Sequence, residues 1–207
     1  ESSAAPPSPP PPSPEPLTPG PSTRLGGRFA AYVAILLLFT LGNSTDAFLL
    51  LRARSLGVET AMIPVLWAAL HIVKTLAAAP AGALSDRIGR RVLITTGWLV
   101  YAATYLGFAY ANSAWSVWAL FLVYGVYFGL TDGGAKALVA DLVPADARGR
   151  AFGWYNLALG IGALPASLLF GALWDAWGAP AAFMAGAAIA TVAALLLPTV
   201  IPRHIAR

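Results

Sequence analysis

The sequence predicts an all-α, polytopic membrane protein with six transmembrane helices arranged as two inverted three-helix repeats. Three observations lead there. The chain is 58% hydrophobic and only 11% charged, with a mean hydropathy of +0.70, whereas a soluble domain carries roughly 25% charged residues. Its apolar residues fall into six stretches separated by short polar turns, each near the roughly 20 residues that cross about 30 Å of hydrocarbon. Two of the turns also resemble each other. Helices are required because lipid cannot satisfy a free backbone N–H, and nothing alternates as a barrel strand would.

Taken in order, residues 1–27 are expected to form a proline-rich, disordered cytoplasmic linker. The run Pro6-Pro7-Ser8-Pro9-Pro10-Pro11-Pro12 cannot be helical, because proline lacks the N–H and fixes φ. It reads either as a spacer or as a ligand for an SH3-type module. Residues 28–202 form the membrane bundle, and residues 203–207 a cytoplasmic tail. The six spans are placed at Phe29–Leu51, Thr60–Leu84, Val92–Tyr110, Ala114–Asp141, Ala151–Trp174 and Ala179–Pro198.

Orientation follows from Lys and Arg. Arg24, Arg28, Arg87, Arg90, Arg91, Arg148, Arg150, Arg203 and Arg207 share one side, and Arg52 and Arg54 the other. Positive charge stays cytoplasmic, so both termini are expected in the cytoplasm of a bacterial inner membrane. Trp115 and Trp118 suit an aromatic belt at the opposite face.

The turn Gly82-Ala83-Leu84-Ser85-Asp86-Arg87-Ile88-Gly89 aligns with Gly171-Ala172-Leu173-Trp174-Asp175-Ala176-Trp177-Gly178, five of eight positions agreeing at an offset of 89. The same offset carries spans one, two and three onto spans four, five and six. Three is odd, so the second copy enters the membrane inverted, and its turn faces outward where arginine is disfavoured. Accordingly Ala176 stands opposite Arg87, and Ala179 and Pro180 opposite Arg90 and Arg91. Inverted three-helix units build transporter halves. Chance likeness between two small-residue turns is the other reading.

Ionisable groups inside a span cost several kcal/mol and usually face a bundle interior or a wet cavity. Span one carries Asp46, one turn after Asn43; span two carries His71 and Lys74; span four carries Asp132 and Lys136. The third and sixth spans carry none, so they are expected to face lipid. His71 and Lys74 share a helix face. They read either as a proton-titrating or anion-binding pair, or as a structural histidine beside a lysine paired with Asp46 or Asp132. Asp132 and Lys136, at i,i+4, read as a self-neutralising pair. Tyr124 and Tyr127 are available either to a solute or to helix packing.

Asp141 ends the fourth span at the depth of Arg87, Arg90 and Arg91. It is expected to pair with one of them, Arg90 foremost, and so to help hold the cytoplasmic side closed. Asp86 is expected to face the N-terminus of the fifth span, where free N–H groups attract an anion.

Several classes are disfavoured. There is no cysteine, hence no disulfide framework or thiolate metal site, and His71 and His204 do not form a metal pair. No Gly-Lys-Ser/Thr phosphate loop and no Ser-His-Asp grouping is present, so neither an enzyme nor a cofactor is expected. The net charge of +4 sits at helix ends, which argues for topology and against nucleic acid.

The segment Gly82-Ala83-Leu84-Ser85-Asp86-Arg87-Ile88-Gly89-Arg90-Arg91 resembles the signature loop of the major facilitator superfamily, Gly-x-Leu-Ala-Asp-Arg-x-Gly-Arg-Arg/Lys, with only Ser85 departing from it. The resemblance covers about residues 28–200. It implies a carrier of twelve helices in two six-helix halves that moves a small solute by alternating access, often with protons. A proline-rich segment, six helices and Glu1 in place of an initiating Met then suggest the central linker plus the C-terminal half. The partner would be the other half, in the same polypeptide or as a dimer mate. The resemblance places the first helix of each repeat nearest the cavity, and with it Asn43, Asp46, Tyr124, Tyr127 and Asp132. Gly160-Ile161-Gly162-Ala163-Leu164-Pro165 is too loose a match to a Gly-Pro antiporter motif to separate symport from antiport. A non-transporting scaffold, anchoring a partner through its proline-rich tail, is the alternative. It leaves the five intramembrane charges without a role.

Overall fold

A computed structural model describes residues 25–202. The expectations for residues 1–24 and 203–207, with Arg24, Arg203, His204 and Arg207, lie outside the described residues. Those described are all-helical. The helices are α1 (Gly27–Gly42), α2 (Asp46–Ser55), α3 (Ile63–Ile88), α4 (Arg90–Tyr110), α5 (Ala114–Leu142) and α6 (Arg148–Val200).

Five helical stretches among these residues are long and apolar enough to cross a membrane: Gly27–Ser55, Thr60–Ile88, Arg90–Tyr110, Ala114–Leu142 and Ala145–Val200. Two of them are interrupted. α6 has 53 residues, about 80 Å if straight, and so far longer than one crossing. It breaks at Gly178, whose φ of 84° and ψ of 170° are non-helical. Contacts show the two runs pointing opposite ways. Along the first, Gly162 faces Thr40 and Gly171 faces Phe48, so it runs with α1 and α2. Along the second, Met184 meets Tyr110 at the end of α4, and Pro198 meets Arg91 at its start.

The other interruption corrects the sequence reading. The first span was expected as one helix over Phe29–Leu51, yet α1 stops at Gly42 and α2 restarts at Asp46. The cause is local. Asn43, Ser44 and Thr45 follow a glycine, and short polar side chains compete with helical hydrogen bonds. Thr45 caps α2, its hydroxyl accepting from the Ala47 N–H at 3.1 Å. The α1 end also crosses the second run of α6 closely: a Cβ on Gly42 would stand 2.8 Å from the Gly186 carbonyl oxygen, and one on Gly186 the same distance from that of Gly42.

Burial refines a second expectation. The charge-free spans were expected to face lipid. One face of α4 is deeply buried inside the bundle, whereas the charge-bearing Thr60–Ile88 stretch is mostly exposed. α4 packs between α5 and α6 and points Ile94, Trp98, Tyr101, Tyr105 and Phe108 into the core. The second run of α6 likewise buries Ala182, Phe183, Ala190 and Leu197. Both helical runs keep an apolar outer side, with Leu99 and Leu106 of α4 and Val192 and Leu195 of α6 exposed, so one face of each packs in the core and the other stays free for lipid. The charged helix α3 instead leaves one broad face open.

Arginines tie the helix ends. Arg52 at the end of α2 donates to the carbonyls of Phe108 and Ala111 at 3.2 and 2.9 Å, satisfying acceptors at the end of α4. Arg91 at the start of α4 donates to Pro198 and Ile201 at 3.2 and 2.9 Å, doing the same for α6.

Candidate functional site

Three tyrosines converge on the α1–α2 break. The Tyr101 hydroxyl donates to the Gly42 carbonyl at 3.0 Å and lies 3.3 Å from Asn43 Oδ1. Tyr105 shares a 3.1 Å hydrogen bond with Ser44. Tyr124 donates to Asp46 Oδ1 at 2.7 Å. Breaking a helix within a membrane frees carbonyls that lipid cannot satisfy; here Tyr101 of α4 satisfies the Gly42 carbonyl, while Tyr105 and Tyr124 hold the side chains of Ser44 and Asp46. An open cavity of about 550 Å³ adjoins the break, lined among others by Asn43, Asp46, Trp67, Tyr124 and Ser167.

A second polar group joins α3 and α5. These helices touch closely: a Cβ on Gly129 would stand 2.5 Å from the Ala77 side chain and 3.1 Å from the Lys74 carbonyl oxygen. That approach brings Lys74 Nζ to 3.4 Å from Asp132 Oδ2. Lys136 Nζ, one turn on along α5, lies 2.8 Å from Asp132 Oδ1. One carboxylate thus holds two ammonium groups. Lys74 also sits 4.7 Å over the ring centre of Phe128, a cation–π contact. A cavity of about 500 Å³, lined by Lys74, Gly82, Asp86, Arg90, Asp132 and Lys136 among others, opens beside this cluster. Lys74 and Asp132 also border one of about 260 Å³, walled by Phe39, Trp98, Tyr127 and Tyr155.

The remaining sequence candidates divide. Tyr124 and Tyr127 are buried, their rings stacked on each other 5.5 Å apart. His71 does not join Lys74: it is exposed, its Nδ1 lies 3.0 Å from the Trp67 carbonyl, and its ring lies beside that indole. Lys74 pairs with Asp132, not Asp46.

At the other end of the loop, Arg90 forms an ion pair with Asp141 and donates to the Ala137 carbonyl at 2.6 Å. Gly89 turns the chain between α3 and α4 with φ 90° and ψ 144°. Leu84 and Arg87 are exposed. Asp86 lines the α3/α5 cavity with Arg90. The turn packs on α5, which brings Asp86 to that wall.

Sequence reasoning missed Tyr101 and Tyr105, and it read Arg52 only as a charge that sets topology. The signal for the tyrosines was present, since Trp98, Tyr101, Tyr105 and Phe108 recur at helical spacing on one face of α4.

Comparison with known proteins agrees with this architecture. The family model described as Major Facilitator Superfamily matches residues 29–206. An uncharacterized MFS-type transporter of Methanocaldococcus jannaschii is 37% identical over 172 residues, which is 80% of this chain and 43% of that protein. Multidrug resistance protein MdtH of Cronobacter sakazakii is 31% identical over 115 residues, or 56% of this chain and 29% of its own length. An uncharacterized protein of Mycobacterium bovis is 29% identical over 152 residues, 73% of this chain and 37% of that protein. The chain therefore spans less than half the length of these curated relatives. On the match over residues 29–206 and five membrane-length helical stretches, the chain belongs to the major facilitator superfamily and is an integral membrane protein.

Proposed function

We propose that this chain forms one wall of a secondary transporter, which moves a small solute by alternating access with ion or proton coupling. One observation carries the reading. Asp46, Lys74, Asp132 and Lys136 stand within membrane-length helices, yet all border cavities, the lysines and Asp132 on the open α3/α5 side and Asp46 at the α1–α2 break. Charges at that depth are costly unless they serve a wet path, and an anchor would give them no role. A second six-helix bundle, from the same polypeptide or a dimer mate, covers the open face and supplies the opposite wall.

Six passes in two inverted repeats fit the reversal of α6 at Gly178. They also fit the likeness of Gly178 to Gly89, both with positive φ and extended ψ at an offset of 89. The charge asymmetry supports cytoplasmic termini in a bacterial inner membrane. In that orientation Arg90–Asp141 lies at the cytoplasmic mouth and acts as a latch that parts when the mouth opens. Both kinds of relative, the MFS-type transporter and the multidrug resistance protein, favour transport.

The test is flux into proteoliposomes from the chain alone and with its companion half, across drugs, sugars and organic acids, with and without a pH gradient. Proton-driven flux that needs both halves and is lost in Asp46→Asn is the expected result. Absence of flux from every form, with folded protein in the vesicles, would remove the carrier reading.

A further inference from the structure

The α3/α5 cluster does not balance. Lys74 and Lys136 bring two positive charges and Asp132 one negative, and that carboxylate already contacts both lysines. The other acidic groups nearby are engaged or set apart. Asp141 is held by Arg90, and Asp46 receives the Tyr124 hydroxyl beside a different cavity; Asp86 lines the same cavity but lies three turns beyond Lys74 along α3, and Asp132 is the carboxylate in contact with the lysines. Within the contacting group, two ammonium groups therefore share one carboxylate, and one positive charge is left over for an anion. It is also accessible, the side chains of Lys74, Asp132 and Lys136 being 33%, 42% and 57% exposed.

The surroundings give the other half of the recognition. Lys74 belongs to two cavities at once. On one side lies the polar space shared with Lys136, and on the other the compartment walled by Phe39, Trp98, Tyr127 and Tyr155. The Phe128 ring lies between, under the Lys74 ammonium. A solute that meets both would place an anionic group between the lysines and an aromatic body against these rings.

We propose that the Lys74–Asp132–Lys136 cluster binds the carboxylate of an aromatic organic acid. Asp132 holds both lysines while the site is empty, and the incoming carboxylate takes over one of them. This rests on reading the cavity as a carrier's solute path. It makes Asp132 a competitor of the solute, so removing its charge should tighten binding, an effect that a purely structural ion pair would not give.

The experiment is calorimetric binding to the full-length carrier in detergent with four probes: 2-naphthoate, 2-naphthamide, 2-naphthylmethylamine and acetate. Naphthoate should bind at least about tenfold more tightly than the other three, about 1.4 kcal/mol. Lys136→Gln should abolish the preference over the amide, and Asp132→Asn should tighten naphthoate several-fold. Equal binding of naphthoate and the amide by the wild-type protein would overturn the proposal without any variant. So would no binding of naphthoate, tighter binding of the amine, acetate binding as well as naphthoate, or weaker naphthoate binding in folded Asp132→Asn. Counterflow with the same probes separates the two levels. Flux blind to charge keeps the carrier and removes the anion site, whereas naphthoate binding without flux of any probe keeps the site and removes the carrier.

Discussion

Gly89 and Gly178 adopt nearly the same backbone conformation 89 residues apart, φ 90° and ψ 144° against φ 84° and ψ 170°. Each stands between two helical runs, and each occupies a region that side-chain-bearing residues avoid. Alanine at either position should therefore destabilise the protein by about 1–3 kcal/mol. Gly133→Ala is the control. Gly133 is helical and a Cβ there meets nothing within 4 Å, so that change should be neutral or stabilising. SDS-induced unfolding followed by tryptophan fluorescence measures all three.

The tyrosines at the α1–α2 break make a second prediction. Tyr101→Phe deletes the donor to the Gly42 carbonyl while keeping the ring, so the loss should be about 1 kcal/mol. Gly186→Ala should cost more, about 1–3 kcal/mol, because its Cβ would press on the Gly42 carbonyl oxygen at 2.8 Å. If both variants unfold like the wild type, the break is not held in the way described.

The Arg90–Asp141 latch predicts a change in access. Neither partner is fully buried, with 25% and 32% of the side chains exposed, so the effect on stability should be small, within about 1 kcal/mol. The effect on the cytoplasmic mouth should be larger. Ser85 lines the cavity beside Arg90, and the chain has no cysteine to interfere. Ser85→Cys should react several-fold faster with a water-soluble maleimide when combined with Asp141→Asn. An unchanged labelling rate and unchanged transport together would argue against a latch.

Much of this was legible in the sequence for a simple reason. Apolar runs, arginine placement and the Gly82–Arg91 signature are local, and each is set by its own physics of lipid contact, topology or turn. The Asp132–Lys136 pair was readable from helical spacing alone. What failed depended on neighbours. The charge-free span Val92–Tyr110 was expected to face lipid, yet one of its faces packs into the core while Leu99 and Leu106 stay exposed on the other, because composition cannot tell which face of an apolar helix its neighbours cover. The break after Gly42 was written in Gly-Asn-Ser-Thr-Asp, a helix-stop followed by an N-cap. The surrounding hydropathy hid it, and its tyrosine donors come from residues some 60 positions away.

The central claim is that the charged α3/α5 face borders water while the outer face of α4 borders lipid. A single-cysteine accessibility scan in the native membrane tests it most directly. Ala78→Cys and Gly133→Cys lie on the α3/α5 cavity, whereas Leu99→Cys and Leu106→Cys lie on the exposed side of α4. The account predicts that the first pair reacts with a charged, water-soluble thiol reagent and the second pair does not. Reaction at Leu99 and Leu106 with protection at both Ala78 and Gly133 would contradict it.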